Sequence, residues 1–288
     1  MSNLAIAKAS RQAGETTDPA GARFEFGRNW AQFLELLDEE RITHAEASLA
    51  DMLGTRELKG KSFLDIGSGS GLFSLAARRL GARVHSFDYD EHSVKCTSEL
   101  QRRYFPGDTD WTVERGSALD RKYLDSLGLF DVVYSWGVLH HTGDMWGALE
   151  NAHGLVKTEG LLVLALYNDA GGRSVLWKSI KRVYLAVPSP LRPLFAGLAI
   201  LPGELRMIAS AVAKGRPMEY VEMWTQYAEK KRGMNRWRDV IDWVGGYPYE
   251  YSRSDKVFDF YRERGFVMRR FRCSAGSLGC NEFVFQKW

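Results

Sequence analysis

The run Phe63-Leu-Asp-Ile-Gly-Ser-Gly-Ser-Gly71 constrains this sequence more than any other segment. An apolar stretch, Ser62 to Ile66, meets glycines at positions 67, 69 and 71, and the apolar-periodic stretch Leu72 to Leu80 follows at once. That order predicts a buried strand, a tight turn and a helix. Glycines let the turn bend and bring its backbone against a ligand with no side chain in between. The helix start then offers N–H groups to the ligand's polar atoms. Dinucleotide sites share this outline, but their spacing is G-x-G-x-x-G, whereas here it is G-x-G-x-G. Asp65 also stands at the strand-to-turn junction, where a carboxylate suits an ammonium-bearing ligand better than a phosphate.

The alternation of strand and helix continues along the chain. Arg83 to Phe87, Trp111 to Val113, Phe130 to Tyr134 and Gly160 to Leu166 read as strands, with helices at Glu91 to Arg103 and Met145 to Leu155. Strands apolar throughout and separated by helices imply a parallel sheet covered on both faces. This is a doubly wound α/β core, which takes its ligands beyond the carboxyl ends of the strands. Ahead of it, Phe24 to Leu58 reads as helical, with Trp30, Phe33, Leu34 and Leu37 recurring at three and four residues.

After Asn168 the alternation stops. Ser174 to Leu185 predicts an amphipathic helix, and Pro188, Pro190 and Pro193 then break the chain. Leu194 to Ala213 is strongly apolar but interrupted by Pro202 and Gly203, so it is expected to fall short of a membrane-spanning helix. Met218 to Lys231 reads as helical, followed by the aromatic stretch Trp243 to Tyr251. A helix at Val257 to Arg264 and strands at Phe266 to Cys273 and Asn281 to Gln286 resume the core. The expected organisation is a disordered segment 1–22, a helical cap 23–59, a ligand-binding core 60–168, a helical insertion 169–254 and a closing part of the sheet, 255–288.

Composition narrows the partners. A formal charge of +3 is too mild for a nucleic-acid surface, and the short basic groups Lys230-Lys231-Arg232 and Arg269-Arg270 read as solvated faces. Cys96, Cys273 and Cys280 share no metal-type spacing, no His/Asp/Glu set has ligand spacing, and no metal is expected. Three cysteines that cannot all pair suit a reducing compartment. The segment Met1 to Ala22 has no apolar core of signal-peptide length, so a cytoplasmic location is expected.

The next marker is Asp88, which ends Arg83-Val-His-Ser-Phe-Asp about twenty residues after the glycine turn. A carboxylate there can accept hydrogen bonds from both hydroxyls of a ribose. The competing reading is a helix cap, a role for which Asp90 is also placed. The glycine turn, the acidic strand end, Gly116-Ser-Ala-Leu-Asp120 and Phe130-Asp-Val-Val133 stand in the order found in class I S-adenosylmethionine-dependent methyltransferases, and from about Gly60 to Asn168 the chain resembles that family. Within it, Leu139-His-His-Thr-Gly-Asp144 is similar to a segment of quinone-biosynthesis O-methyltransferases and of polysaccharide and natural-product methyltransferases.

The resemblance implies a Rossmann-like sheet ending in an antiparallel hairpin, S-adenosyl-L-methionine as cofactor, and in-line transfer of its methyl group without a covalent enzyme intermediate. By position, Asp65, Gly67, Gly69 and Gly71 would hold the methionine part and Asp88 the ribose. Ser117 and Ala118 would flank the adenine and Trp136 would line the far side, with Ser68, Leu72 and Tyr89 counted in the same surround. Gly245 to Glu250 and Gly279 to Phe285 depart from the quinone enzymes and look more like methyltransferases of glycan assembly.

His141, and less directly His140, is the candidate general base for an acceptor hydroxyl. The alternative is that one of the two packs and holds the loop. Tyr247 and Tyr249 are placed as aromatic walls of an acceptor pocket, with Tyr167, Asn168, Glu250 and Asn281 beside them, or else the rings form an ordinary subcore. Leu194 to Ala213, flanked by Arg192 and Arg206, suits either a lid or membrane-surface contact, or helices packed on the core or in a dimer. The expected acceptor is a small molecule or a glycan- or lipid-linked one, methylated on oxygen. Nitrogen or carbon methylation, or a non-catalytic binding module, are the alternatives.

Overall fold

In this computed structural model, which describes residues 24, 34, 37–227 and 236–288, strand β1 (Ser62–Ile66) pairs in parallel with β2 (Arg83–Asp88) on one side and β4 (Phe130–Trp136) on the other. β3 (Trp111–Arg115) extends the sheet beyond β2, and β5 (Val156–Tyr167) beyond β4, both in parallel. β7 (Cys280–Lys287) then lies antiparallel between β5 and β6 (Phe266–Arg272), giving the order β3-β2-β1-β4-β5-β7-β6. This is the α/β class expected, with its antiparallel end. Growth of the sheet reverses between β1 and β4, and the ligand crevice of an open α/β sheet lies at such a reversal.

Four of the flanking helices start on an aspartate whose side chain accepts an N–H of the first turn. They are α1 (Glu39–Leu53, capped by Asp38), α3 (Glu91–Tyr104, Asp90), α4 (Arg121–Leu127, Asp120) and α5 (Met145–Gly154, Asp144). Asp90 therefore takes the capping role, which leaves Asp88 for the crevice. Neighbouring strand residues feed opposite cores, as the two-residue period requires. Leu64, Val133 and Leu162 pack under α5 and α10 (Ser254–Arg262). Phe63, Val132 and Val163 pack under α1, α2 (Leu72–Arg79) and α3. This two-sided burial is why the strands read as unbroken apolar runs.

The insertion forms a third layer: α6 (Gly172–Ala186), α7 (Arg192–Ala213), α8 (Met218–Thr225) and α9 (Arg236–Gly245). It closes on its own small core around Tyr184, Ala196 and Val244, with Trp177, Trp237 and Ile241. The break expected at Pro202 does not occur: α7 runs on through that residue. Proline there removes one helical hydrogen bond, while Ala196, Glu204 and Ala211 on either side are buried against the rest of the insertion. Helices α4 and α9 were not foreseen, α4 because it is only two turns long. The expectations for 1–22, for Trp30 and Phe33, and for Lys230-Lys231-Arg232 lie outside the described residues.

Candidate active site

Where β1 ends, Gly67, Gly69 and Gly71 all take left-handed φ angles of 77°, 56° and 80°. Two of them are also fixed by packing. A Cβ on Gly67 would lie 2.4 Å from Val138 Cγ1, and one on Gly71 would lie 2.8 Å from Thr97 Cα. Gly71 faces α3 rather than the crevice, which corrects its expected ligand contact.

A cavity of about 860 Å³ opens over this turn. Of the expected cofactor residues, Asp65, Gly67, Ser68, Gly69, Leu72, Asp88, Tyr89, Ser117, Ala118 and Trp136 line it. Asp65 is buried at its floor and accepts a 2.5 Å hydrogen bond from Ser74 Oγ. Ser74 accepts in turn from Ser86, and Ser86 from the Trp111 indole, so a line of donors across the sheet ends on Asp65. Burial pushes the Asp65 carboxyl up to about 7. Asp88 accepts from Gly69 N–H (2.9 Å) and Asp90 N–H (2.8 Å), and burial pushes it up to about 6. On the opposite wall Trp136 stacks on Tyr134 at 5.9 Å. Asn151 donates to the Ala118 carbonyl and fixes the loop after β3.

His141 lies on the wall of the same cavity, in a one-turn helix at Leu139–His141. Its Nδ1 sits 2.5 Å from the Pro248 carbonyl oxygen. A carbonyl can only accept, so Nδ1 carries the proton and Nε2 is the acceptor nitrogen of the ring. Tyr247 and Pro248 also line the cavity.

The other expected catalytic and acceptor residues do not reach the cavity. His140 is buried behind His141, takes the Tyr167 N–H on Nδ1 at 3.3 Å, and is held well below the usual imidazole range by burial. It is neutral and packs the loop, which corrects its placement as a second base. Tyr167 and Tyr249 pack in the interior with their rings tilted and 5.0 Å apart, beside the buried amine of Lys181. Glu250 takes the N–H groups of Gly143 and Met145 and so ties the start of α5 to the insertion. Asn281 donates to Asn168 Oδ1 and accepts from Ser274, clamping the strand ends. For these residues the structural alternative holds. Residues of the cavity that the sequence did not mark include Phe24, Thr142, Tyr227 and Asp239. Tyr227 donates to Asp239 at 2.6 Å, on a helix whose existence the sequence did not show. Among the described residues no group of three His, Cys, Asp or Glu side chains is arranged for a metal.

Comparison with known proteins matches these features. Residues 37–266 match the family described as "Methyltransferase domain". A ubiquinone biosynthesis O-methyltransferase of Parvibaculum lavamentivorans is 28% identical over 169 residues, covering 57% of this chain and 61% of that protein. A ribosomal protein L11 methyltransferase of Helicobacter hepaticus is 40% identical over 53 residues, or 18% of this chain and 17% of that one. The chain thus spans about three fifths of the length of the first of these relatives, and less than a fifth of the second. Among solved structures, magnesium protoporphyrin IX methyltransferase from Synechocystis, with SAH bound, superposes with a TM-score of 0.51 at 13% identity, covering 99% of this chain and 95% of that one. That likeness is one of fold. With the family match running through the glycine turn, both crevice carboxylates, His141 and the insertion, the chain belongs to the methyltransferase domain family, of the class I S-adenosylmethionine-dependent kind.

Proposed function

We propose that this chain transfers a methyl group from S-adenosylmethionine to a hydroxyl oxygen of a small-molecule or glycan- or lipid-linked acceptor, with His141 as the base. The residues present fit that cofactor. Asp65 is a buried carboxylate with which no described Lys or Arg pairs, so a ligand ammonium would relieve its burial. Each oxygen of Asp88 already accepts one backbone N–H and retains capacity for a further donor, which suits a diol. Ser117 and Ala118, after β3, line the cavity where an adenine would lie, and Trp136, at the end of β4, lines the far side. S-adenosylmethionine, when bound, supplies a methyl group on a positively charged sulfur.

The residues around His141 do the rest. The Pro248 carbonyl holds the ring in one tautomer, so Nε2 can take the proton of an acceptor hydroxyl. Tyr247, Pro248, Tyr227 and Asp239 line the same cavity as His141. The observation that carries the oxygen reading is this oriented imidazole on the cavity wall, and the name of the Parvibaculum relative agrees with it.

The test is His141→Gln, which keeps a polar side chain but removes the base. Turnover should fall by about 10²- to 10⁴-fold, the acidic limb of the pH–rate profile should vanish, and calorimetric affinity for S-adenosylmethionine should not move. Mass spectrometry of the product locates the methyl group. Unchanged turnover, or a methyl on nitrogen or carbon, would overturn the reading.

A further inference from the structure

The insertion carries a surface that methyl transfer leaves unused. The stretch Ser189–Ala213, most of it α7, is long and apolar enough to cross a membrane by length and composition, yet only 11% of its apolar window is buried. Ala196, Glu204 and Ala211 face inward. Leu194, Leu198, Leu201, Leu205, Ile208 and Val212 recur every three and four residues along one exposed ridge, with exposures from 37% to 65%. Leu176 and Val183 of α6 and Met218 and Val221 of α8 are exposed as well. The charges around this ridge have a net basic excess. Residues 170–222 contain eight Lys and Arg, of which Lys181 is buried and Arg216 pairs with Glu219 at 3.0 Å, and three acidic residues, Glu204, Glu219 and Glu222. Glu204 is itself engaged by Arg236 at 2.7 Å and by Tyr220 and Trp224.

We propose that this face docks on an anionic lipid bilayer, with α7 lying in the plane of the headgroups. A spanning arrangement would draw the Glu204–Arg236 pair and the packed helices α6 and α9 into hydrocarbon, where charged groups are costly. Pairing with a second copy would set two faces of net positive charge against each other. An anionic bilayer takes up the apolar ridge and complements the flanking charges together. The docked face lies one helix from the cavity. Trp237, Val240 and Ile241 of α9 pack into the insertion's core with Ala196 of α7, while Asp239 of the same helix lines the cavity. This position suits an acceptor that carries an apolar tail.

The test is flotation of the full chain with phosphatidylcholine vesicles containing about one third phosphatidylglycerol, set against vesicles of pure phosphatidylcholine. Anionic vesicles should bind at least about tenfold more protein, and added salt should weaken the binding. The double variant Leu198→Glu with Leu205→Glu alters only exposed positions, so it should fold, as circular dichroism and cofactor affinity would show. It should bind anionic vesicles about tenfold less well. Three results would overturn the proposal. They are no binding by the native chain, equal binding by the double variant, or a dimer that the variant dissociates with no vesicle binding by either form. Binding is read without turnover, so failure here and failure of the methyl-transfer reading are separate results.

Discussion

Asp65 is the next-to-last residue of β1 and Asp88 the last of β2, and burial disfavours the charge on both. In the ligand-free protein Asp65 holds its proton up to about pH 7, so a cation that pairs with the ionised form must displace that proton below this point. Affinity for S-adenosylmethionine should therefore climb as pH rises toward 7 and level off above it, with proton release measurable by calorimetry in buffers of different ionisation enthalpy. Asp65→Asn should remove the part of the pH dependence centred near 7, leaving the part set by Asp88, along with most of the affinity. A variant that keeps the native pH profile would take Asp65 out of the ligand's reach. Asp88→Ala should weaken binding by about ten- to a hundredfold, the worth of hydrogen bonds to a charged group. Equal affinity would move the diol elsewhere.

Among the elements, the chain from Trp243 to Tyr251 separates two rings that are near neighbours in sequence. Tyr247 lines the cavity, whereas Tyr249 is fully buried against Tyr167, Trp243 and Tyr251. Tyr249→Ala should destabilise the fold by about 3–5 kcal/mol, seen as a lower melting temperature with normal turnover per folded molecule. Tyr247→Ala should instead raise the acceptor KM, with cofactor affinity within about threefold of native. If both variants behave alike, the division is wrong.

The same contrast shows what the sequence could reveal. The strands, the turn and the crevice carboxylates follow from local rules of period, glycine and strand end, so they were legible. The part of the cavity wall with Asp239, Tyr247 and Pro248 comes from α9 and the loop after it, where no period marks which aromatic ring points inward. Asn168, Glu250 and Asn281 are polar for hydrogen bonds that join distant segments, and no local pattern announces such partners.

At the scale of the whole molecule, the buried titratable groups set opposing pH trends in stability. Asp65 has a folded value of about 7 against an ordinary 3.8, so its contribution is present in acid and is lost as pH rises through 7. His140 is depressed, so its contribution is present above the ordinary 6.5 and is lost as pH falls. Comparing ligand-free native protein with Asp65→Asn isolates the first trend. The melting-temperature advantage of the variant should grow between about pH 4 and pH 7 and level off above that, and a constant difference would refute the assignment. The bond from Pro248 to His141 has a further consequence. The imidazole belongs to the sheet framework, but the carbonyl that orients it arrives from the end of the insertion. If His141 is the base proposed above, grafting another relative's insertion onto this framework would exchange the carbonyl that orients it, together with the part of the cavity wall that Tyr247 and Pro248 supply. A chimaera joined on the wrong side of residue 247 would bind its donor and stay silent.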